Sequence, residues 1–333
     1  MKIGIYTTAL GEHVSGGILC IVETLNALVD QGHDCVCFVD DAPYRSDWLQ
    51  TKFPILPASD VDNYDGVLIS PYSPTAEAVA NAKNAQDRFY WVHTNEALFC
   101  HNGKEWQDRA RESYKLPIKI FCTSTYLQIL METVFNRHVI GMLVPPGVDT
   151  SVFKPQGVMQ DQSTVTIGIL NRPGWVRGLD TAMLIAKMAQ ANNPNKIKLN
   201  VVNHTTDRHV MASHYAKMDI YLDMSRVAGS PTPVKEAMAC GTIPICTKYG
   251  TTDFVLSDFN GYIVPVDDVN SAANLVTLLT DNFDKRISVA TNAVETVRRF
   301  DWSIIADSLL FAIMEGEHRG EALLKERDWN IQR

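Results

Sequence analysis

Two arginines, Arg172 and Arg177, stand in the stretch NRPGWVRG (Asn171–Gly178), directly after the strand-like VTIGIL (Val165–Leu170). An arginine fork gives a phosphate two charge-assisted hydrogen bonds, so such a pair suits a pyrophosphate. The plain alternative is two exposed loop arginines. A second candidate is the loop Gly229-Ser230-Pro231-Thr232-Pro233. Its prolines fix φ and remove two backbone donors, so it is neither a helix interior nor a central strand. A helix is expected to follow over Val234–Cys240, with Glu236 in its first turn, where the helix dipole favours a carboxylate. Gly241 then stops it and Thr242–Cys246 reads as a strand. The loop amides and the helix start suit an anionic ligand. Two weaker signals lie earlier in the chain. His93 ends the apparent strand RFYWVH, at the edge where open α/β sheets place ligands, although a lone histidine is more often structural. The pair Gly16-Gly17 lets a ligand approach the backbone, or simply gives a helix entry its small residues.

The elements that must position these residues follow a repeating order. Lys2–Thr7 reads as a strand running into the loop Gly11–Gly17. A helix from Ile18 to near Gly32 carries apolar residues at Ile21, Leu25, Leu28 and Val29, and the strand DCVCFVDD follows. Further strands are expected at Asp65–Pro71, Arg88–His93 and Lys119–Ser124, with helices at Ala76–Ala85, Glu105–Lys115 and Thr125–Val134. The irregular stretch Ala42–Asp62 offers Arg45, Trp48, Lys52 and Phe53 as acceptor-side contacts, or is a solvated loop. Beside His93, Asn95 and Glu96 are nearby candidates. After Pro155 the pattern restarts: strand Val165–Leu170, helix Leu179–Ala191, strand Lys196–Asn203, strand Asp219–Ser225, then helices Val269–Thr280, Asp284–Arg299 and Phe300–Glu315. From Asn203 the chain is expected to run almost directly into the strand at Asp219. His204, His209 and His214 do not share one helical face well, which argues against a metal site.

Composition bounds the function. The chain has 333 residues, 46% hydrophobic and 20% charged, which suits one or two globular domains. Up to Pro155 there are 12 Lys+Arg against 18 Asp+Glu, and beyond it 18 against 20, so the net charge of −8 divides as −6 and −2. A general nucleic-acid or anionic-membrane binder leans the other way. No apolar run reaches membrane-spanning length and Met1–Ala9 reads as a strand, not a signal peptide. The seven cysteines include no C-x-x-C pair, which favours core thiols in a reducing cytoplasm.

EAMACGTIPI (Glu236–Ile245) resembles the donor-binding helix of retaining glycosyltransferases with the GT-B fold, of the family 4 type. That family has two glutamates flanking this loop. The second matches Glu236 and by resemblance holds the ribose of a sugar nucleotide; the first falls at Ala228, which has no carboxylate. Gly16-Gly17 with the helix and QGHDCVCFV resembles the family's opening. His93 resembles its histidine that reaches the donor sugar, and VPPGVDTSVFKP (Val144–Pro155) resembles its hinge. In the family's arginine and lysine-glycine pair, Arg172 takes the first place and Arg177-Gly178 the second.

The resemblance implies an α/β fold of two Rossmann-like domains facing a cleft. The first spans 1–155 on the acceptor side, and the second spans 156–299 and binds the sugar nucleotide. A helical segment, 300–333, packs back on the first. It also implies transfer of a hexosyl or pentosyl unit to an acceptor hydroxyl, with retention and without a metal. His93, Arg172 and Arg177 would be catalytic. Gly16, Gly17, Asn171, Gly229, Ser230, Pro231, Thr232 and Glu236 would bind the donor. No cofactor is expected beyond the nucleotide-sugar co-substrate. The acceptor (glycan, lipid, protein or nucleic acid) is left open, and the location expected is cytoplasmic. Two rivals remain: a nucleotide- or sugar-binding protein of the same fold without turnover, and a GT-B sugar-nucleotide epimerase.

Overall fold

The computed structural model describes residues 1–11, 15–40, 48–99, 103–157 and 164–331, the side chains of Phe99 and 317–331 excepted. The chain divides into two compact units, Met1–Pro146 with Trp302–Arg333, and Gly147–Asp301. The sequence suggested boundaries after residues 155 and 299; the structure sets them after 146 and 301. Residues 147–155 belong with the second unit because Val148 N–H donates to Phe300 O at 2.8 Å, Thr150 Oγ1 to Asp301 at 3.1 Å, and Asp149 pairs with Arg208 at 3.2 Å.

Unit 1 begins with β1 (Lys2–Tyr6), α1 (Gly16–Asp30), β2 (Asp34–Val39), β3 (Ile55–Pro57) and β4 (Val67–Ser70). It continues with α2 (Ser73–Asn81), β5 (Asp87–Val92), α3 (Glu96–Phe99), α4 (Gly103–Ser113), β6 (Lys119–Cys122) and α5 (Thr125–Thr133). Its six strands lie in the order β3-β2-β1-β4-β5-β6, all neighbours parallel. Strands covered on both faces read as continuous apolar runs, and β4 and the second half of β5 are buried throughout.

Unit 2 comprises β7 (Val165–Asn171), α6 (Leu179–Asn192), β8 (Ile197–Asn203), α7 (Arg208–Tyr215), β9 (Ile220–Asp223) and α8 (Thr232–Ala239). It ends with β10 (Ile243–Cys246), β11 (Tyr262–Ile263), α9 (Val269–Thr280) and α10 (Phe283–Val297). Its parallel sheet runs β11-β10-β9-β7-β8. The core joins Ile167, Ile169, Ile220, Leu222, Ile243 and Ile245 of the strands to Ala182, Ile185, Ala186 and Ala189 of α6 and Ala272, Ala273 and Val276 of α9. The alanines let the two helices approach closely. Truncating one of the buried isoleucines to alanine costs about 2–5 kcal/mol.

The last helix, α11 (Trp302–Ile331), belongs to unit 1. It buries Trp302, Ile305, Ala306, Leu309, Ala312 and Ile313, one stripe at helical spacing. Gln31 donates to Ser303 O and Asp307 at 3.1 and 2.9 Å, and a Cβ at Gly316 would meet the Phe89 ring at 2.7 Å, so a glycine is needed where the helix crosses β5. All six described cysteines are free and buried.

Candidate functional site

The strand order of unit 2 reverses between β7 and β9, because β7 continues to β8 on one side while β9 continues to β10 on the other. Such a switch point opens a crevice at the carboxyl ends of the strands, where open α/β sheets take ligands. The loop after β7 carries Arg172 and Arg177, and β9 ends in Asp223. Arg172 Nη2 donates to Asp223 Oδ2 at 3.1 Å; the Asp223 side chain is 3% exposed and that of Arg172 21%. The other carboxylate oxygen of Asp223 accepts from Ser225 N–H at 3.2 Å and from the Ser225 hydroxyl. Asp223 is therefore fully engaged and fixes the guanidinium, which keeps an accessible edge. Burial works against the charge of Arg172, but Asp223, the neighbouring tyrosines and Glu236 more than offset it, so its pKa is raised. Arg177 is the opposite case: burial and then the like charge of Arg172 lower its pKa to about 10. The Asp223 carboxylate acts on both cations and partly offsets their mutual repulsion.

The loop bearing them is clamped. Arg226, just beyond β9, donates to Asp180 at 2.9–3.0 Å, Asp267 at 2.8–3.2 Å, the Thr181 hydroxyl at 3.0 Å and the Trp175 carbonyl at 2.8 Å. Its backbone N–H donates to Val176 O at 2.9 Å. Gly178 closes the loop at φ +59°, and a Cβ there would lie 1.9 Å from the Met224 carbonyl oxygen. Only glycine fits that left-handed corner against the β9 exit. Asn171 bonds Asn203 across the sheet edge at 2.8 Å and is exposed.

Glu236 also faces this region, but not from a first turn. Helix α8 starts at Thr232, with Pro231 as its cap residue and Pro233 in the first turn, a position proline tolerates. Glu236 is thus the fifth residue, and the dipole argument for it falls. It is 7% exposed. Burial raises its pKa to about 7, against the opposing pull of Arg208, Tyr215, Arg172 and Lys235. The Tyr215 hydroxyl is buried without a partner of good hydrogen-bond geometry. Arg208 and Tyr215 come from α7, where the sequence led us to expect almost no structure. Asp207 caps that helix by accepting from His209 and Val210 N–H at 2.9 and 3.1 Å, and Met211, Ala212 and Tyr215 give it a buried face. DRHVMASHY thus held a cap and an apolar spacing that its three histidines and polar flanks obscured. Gly229, Ser230 and Pro231 lie in the buried loop between β9 and α8, Thr232 is the first residue of α8, and α8 has no side-chain cap.

Unit 1 holds the remaining candidates. Its own switch point lies between β1 and β4. His93 follows β5, packs on Trp91 with ring centroids 4.3 Å apart, and has a buried Nε2 without a hydrogen-bond partner. Burial lowers its pKa to about 3, so the ring is neutral at physiological pH. Thr7 Oγ1, Thr94 Oγ1 and Asn95 Oδ1 are likewise buried and unpartnered. Glu96, by contrast, is taken: it accepts from Ser73 N–H and Oγ and from Tyr90 at 2.7–3.2 Å, serving the start of α2. Gly16 and Gly17 open α1, and among the described residues a Cβ at Gly16 would meet nothing within 4 Å. Phe53 is buried, which removes it as an exposed contact, whereas Lys52 is exposed and pairs with Asp30 at 2.6 Å. Arg45, and the middle of the loop before Gly16, lie outside the described residues.

Among the described residues no cluster of three His, Cys, Asp or Glu could hold a metal ion. The chain's Asp-x-Asp triplet, Asp60-Val61-Asp62, sits on the short 3-10 helix Ala58–Asn63 with Val61 buried and Asp62 paired to Lys83 at 3.4 Å. Among the described residues no helix is long and apolar enough to cross a membrane.

Residues 161–296 match the family Glycosyl transferases group 1. A stretch of 77 residues is 36% identical to a phosphatidyl-myo-inositol mannosyltransferase of Mycolicibacterium smegmatis, covering 22% of this chain and 20% of that protein. The chain thus matches about a fifth of the length of this relative. Among solved structures, TarM superposes with a TM-score of 0.77 at 11% identity, covering 93% of this chain and 98% of that one. HepE of Anabaena, solved with UDP and glucose, gives a TM-score of 0.73 at 14% identity, covering 94% and 99%. These likenesses show the fold: two Rossmann-like α/β domains with the architecture of GT-B glycosyltransferases.

Proposed function

We propose that this chain is a glycosyltransferase that moves a sugar from a nucleotide-sugar donor to an acceptor hydroxyl, with retention and without a metal ion. The observation that carries the reading is the Arg172–Asp223 pair with Arg177 at the switch point of unit 2, inside the stretch that matches Glycosyl transferases group 1. As the glycosidic bond to the diphosphate breaks, negative charge grows on the leaving oxygens. Preorganised guanidinium groups aimed at that charge lower the barrier without reorganising at the moment of reaction. Glu236, by the family resemblance, accepts hydrogen bonds from the ribose hydroxyls. Unit 1 carries neutral, unpartnered polar atoms at Thr7, His93, Thr94 and Asn95, which suit hydroxyls rather than phosphates. HepE was solved with UDP, which makes a uridine diphosphate donor the first to try.

The test is a panel of UDP-, GDP-, ADP- and CMP-sugars, read by thermal shift and by release of nucleotide with and without EDTA, with the anomeric configuration of the product assigned by NMR. A donor that stabilises the protein and yields a product with retained configuration, unaffected by EDTA, is expected. Inverted product or loss of turnover in EDTA would overturn those two parts separately. A second reading, binding without turnover, is favoured by Ala228. It is 4% exposed at the place where the resembling family has a carboxylate. Stabilisation by a sugar nucleotide with no product from any acceptor would establish it instead.

A further inference from the structure

Lys235 is fully buried in α8, at 0% exposure. Its Nζ donates to Ser230 Oγ at 2.7 Å and lies 4.9 Å from the centre of the Phe254 ring and 5.1 Å from that of Phe300. A slot walled by two phenyl rings would take leucine or methionine at no electrostatic cost. A buried ammonium costs several kcal/mol unless its surroundings compensate. Here two aromatic faces, the Ser230 hydroxyl and the charge of nearby Glu236 contribute to that compensation.

The consequence falls on Ser230. A hydroxyl has one hydrogen to give and lone pairs to receive. With the ammonium donating into its oxygen, Ser230 is polarised towards giving its own hydrogen away. The backbone beneath it is fixed as well. Gly250, at φ +68°, packs so closely that a Cβ would lie 2.0 Å from the Gly229 carbonyl oxygen and 2.9 Å from Ser230 N. Ser230 stands in the loop that leads into α8 and is 9% exposed.

We propose that Lys235 is a positioning residue that makes Ser230 a fixed, one-way hydrogen-bond donor to a diphosphate oxygen of the sugar nucleotide. The inference rests on the donor-site reading of unit 2 and adds a residue whose side chain does not itself reach the ligand. It also accounts for the chemistry of a loop that lacks a carboxylate at Ala228. A donor group there meets phosphate, where an acceptor would meet a sugar hydroxyl.

The experiment is a double-mutant cycle by isothermal titration on the full chain. Wild type, Lys235→Met, Ser230→Ala and the double variant are titrated with UDP, GDP and ADP and with the matching nucleosides; circular dichroism reports folding. For the diphosphate that wild type binds, Lys235→Met weakens binding about 10-fold and Ser230→Ala about as much, while the double variant is no worse than twofold beyond either, as one shared hydrogen bond to a charged group requires. Binding of the nucleoside is unchanged throughout. If the two losses multiply, or if nucleoside binding falls as far as diphosphate binding, Lys235 does not act through Ser230. Should Lys235→Met fail to fold, Ser230→Thr, which keeps the hydroxyl, must restore what Ser230→Ala loses, and failure to do so overturns the proposal. A wild type that binds no diphosphate at all removes the donor-site reading itself, a result distinct from the others.

Discussion

The two units place their polar residues at the same address and fill it with opposite chemistry. In each, a parallel sheet reverses its strand order and the loops after the central strands gather residues there. Unit 2 loads that edge with charge: Arg172, Arg177, Arg208 and Arg226, set against Asp223, Asp180, Asp267 and Glu236. Unit 1 brings neutral groups there, Thr7, His93, Thr94 and Asn95, and turns the Glu96 carboxylate inward to the start of a helix. Topology supplies the crevice in both cases. Side chains alone decide whether it suits an anion or a hydroxyl, which is why the fold by itself does not name a function.

The charged edge has the steepest response to mutation. Arg172→Ala leaves Asp223 buried without its cation, and breaking such a pair costs about 3–5 kcal/mol of stability. If the proposed donor site is correct, the same change also removes charge-assisted hydrogen bonds worth roughly 1.5–3 kcal/mol, an expected loss of about 10- to 100-fold in kcat/KM. Arg177→Ala is expected to cost the same in kcat/KM but less in stability, because burial and Arg172 already oppose its charge. Urea unfolding beside donor kinetics separates the two. Equal loss of stability would mean that Arg177, too, is a structural cation. Glycines divide the units in the same way. Gly178→Ala forces a Cβ onto the Met224 carbonyl at a positive φ, and more than about 2 kcal/mol of destabilisation is expected. Gly16→Ala meets no atom of the described residues within 4 Å, so thermal unfolding is expected not to shift downward.

Much of this was legible before any coordinates. Alternating apolar runs and glycine-closed helices gave two parallel α/β units, and the helix expected at Val269–Thr280 is found with those bounds. That Arg172 and Arg177 share the loop after β7 is legible in the sequence, but the pairing of Arg172 with Asp223 is not. The misses have physical causes. Lysine reads as a surface residue, so nothing in VKEAMA betrays that Lys235 lies between two phenyl rings. Asp223 and Arg226 look like ordinary strand-end charges until β9 sets them beside the loop after β7. Proline obscured the start of α8 because it forbids a helix interior yet tolerates a first turn, and that moved Glu236 from dipole-stabilised to desolvated. Helix α7 is hard to see in the sequence because its cap and buried face are short and its histidines invite another reading.

Buried ionisable groups give the comparison a pH signature of opposite sign. Glu236 has a folded pKa of about 7 against 4.5, so the folded state prefers its proton. The stability tied to it is present in full below about pH 4.5 and is lost as pH rises through 7. His93 has a folded pKa of about 3 against 6.5, so the folded state prefers it neutral; that stability is present above 6.5 and is lost as pH falls towards 3. Each shift corresponds to on the order of 3–5 kcal/mol over its full range. Between pH 7 and 4.5 the two slopes oppose one another and partly cancel. Glu236→Gln should therefore make the protein more acid-sensitive in that window, and His93→Gln less so. Urea midpoints at pH 7, 6 and 5 decide it; variants that move in the same direction would show that one of these groups is not buried as described.

The smallest effect is expected where unit 2 lacks a charge rather than holding one. Ala228 is buried at 4% exposure, two residues before Ser230. In the resembling family a glutamate stands there and accepts hydrogen bonds, whereas Ser230, with Lys235 bonded to its oxygen, has a hydrogen to give. A sugar that normally offers a hydroxyl to the glutamate finds no acceptor in this loop, and an unpaired polar group in a closed site is costly. The donor expected on this reading is therefore one without that hydroxyl or hydroxymethyl group, such as a pentosyl or deoxyhexosyl nucleotide. Ala228→Glu restores an acceptor but brings a carboxylate towards the phosphate side, so the expected change is a shift of preference of about 3- to 10-fold towards hexosyl donors, with the natural donor used less well. Competition assays between UDP-hexoses and UDP-pentoses on wild type and variant measure that ratio directly. If the natural donor is an ordinary hexose and Ala228→Glu raises activity on it, the missing carboxylate is a defect of this site and not the source of its specificity.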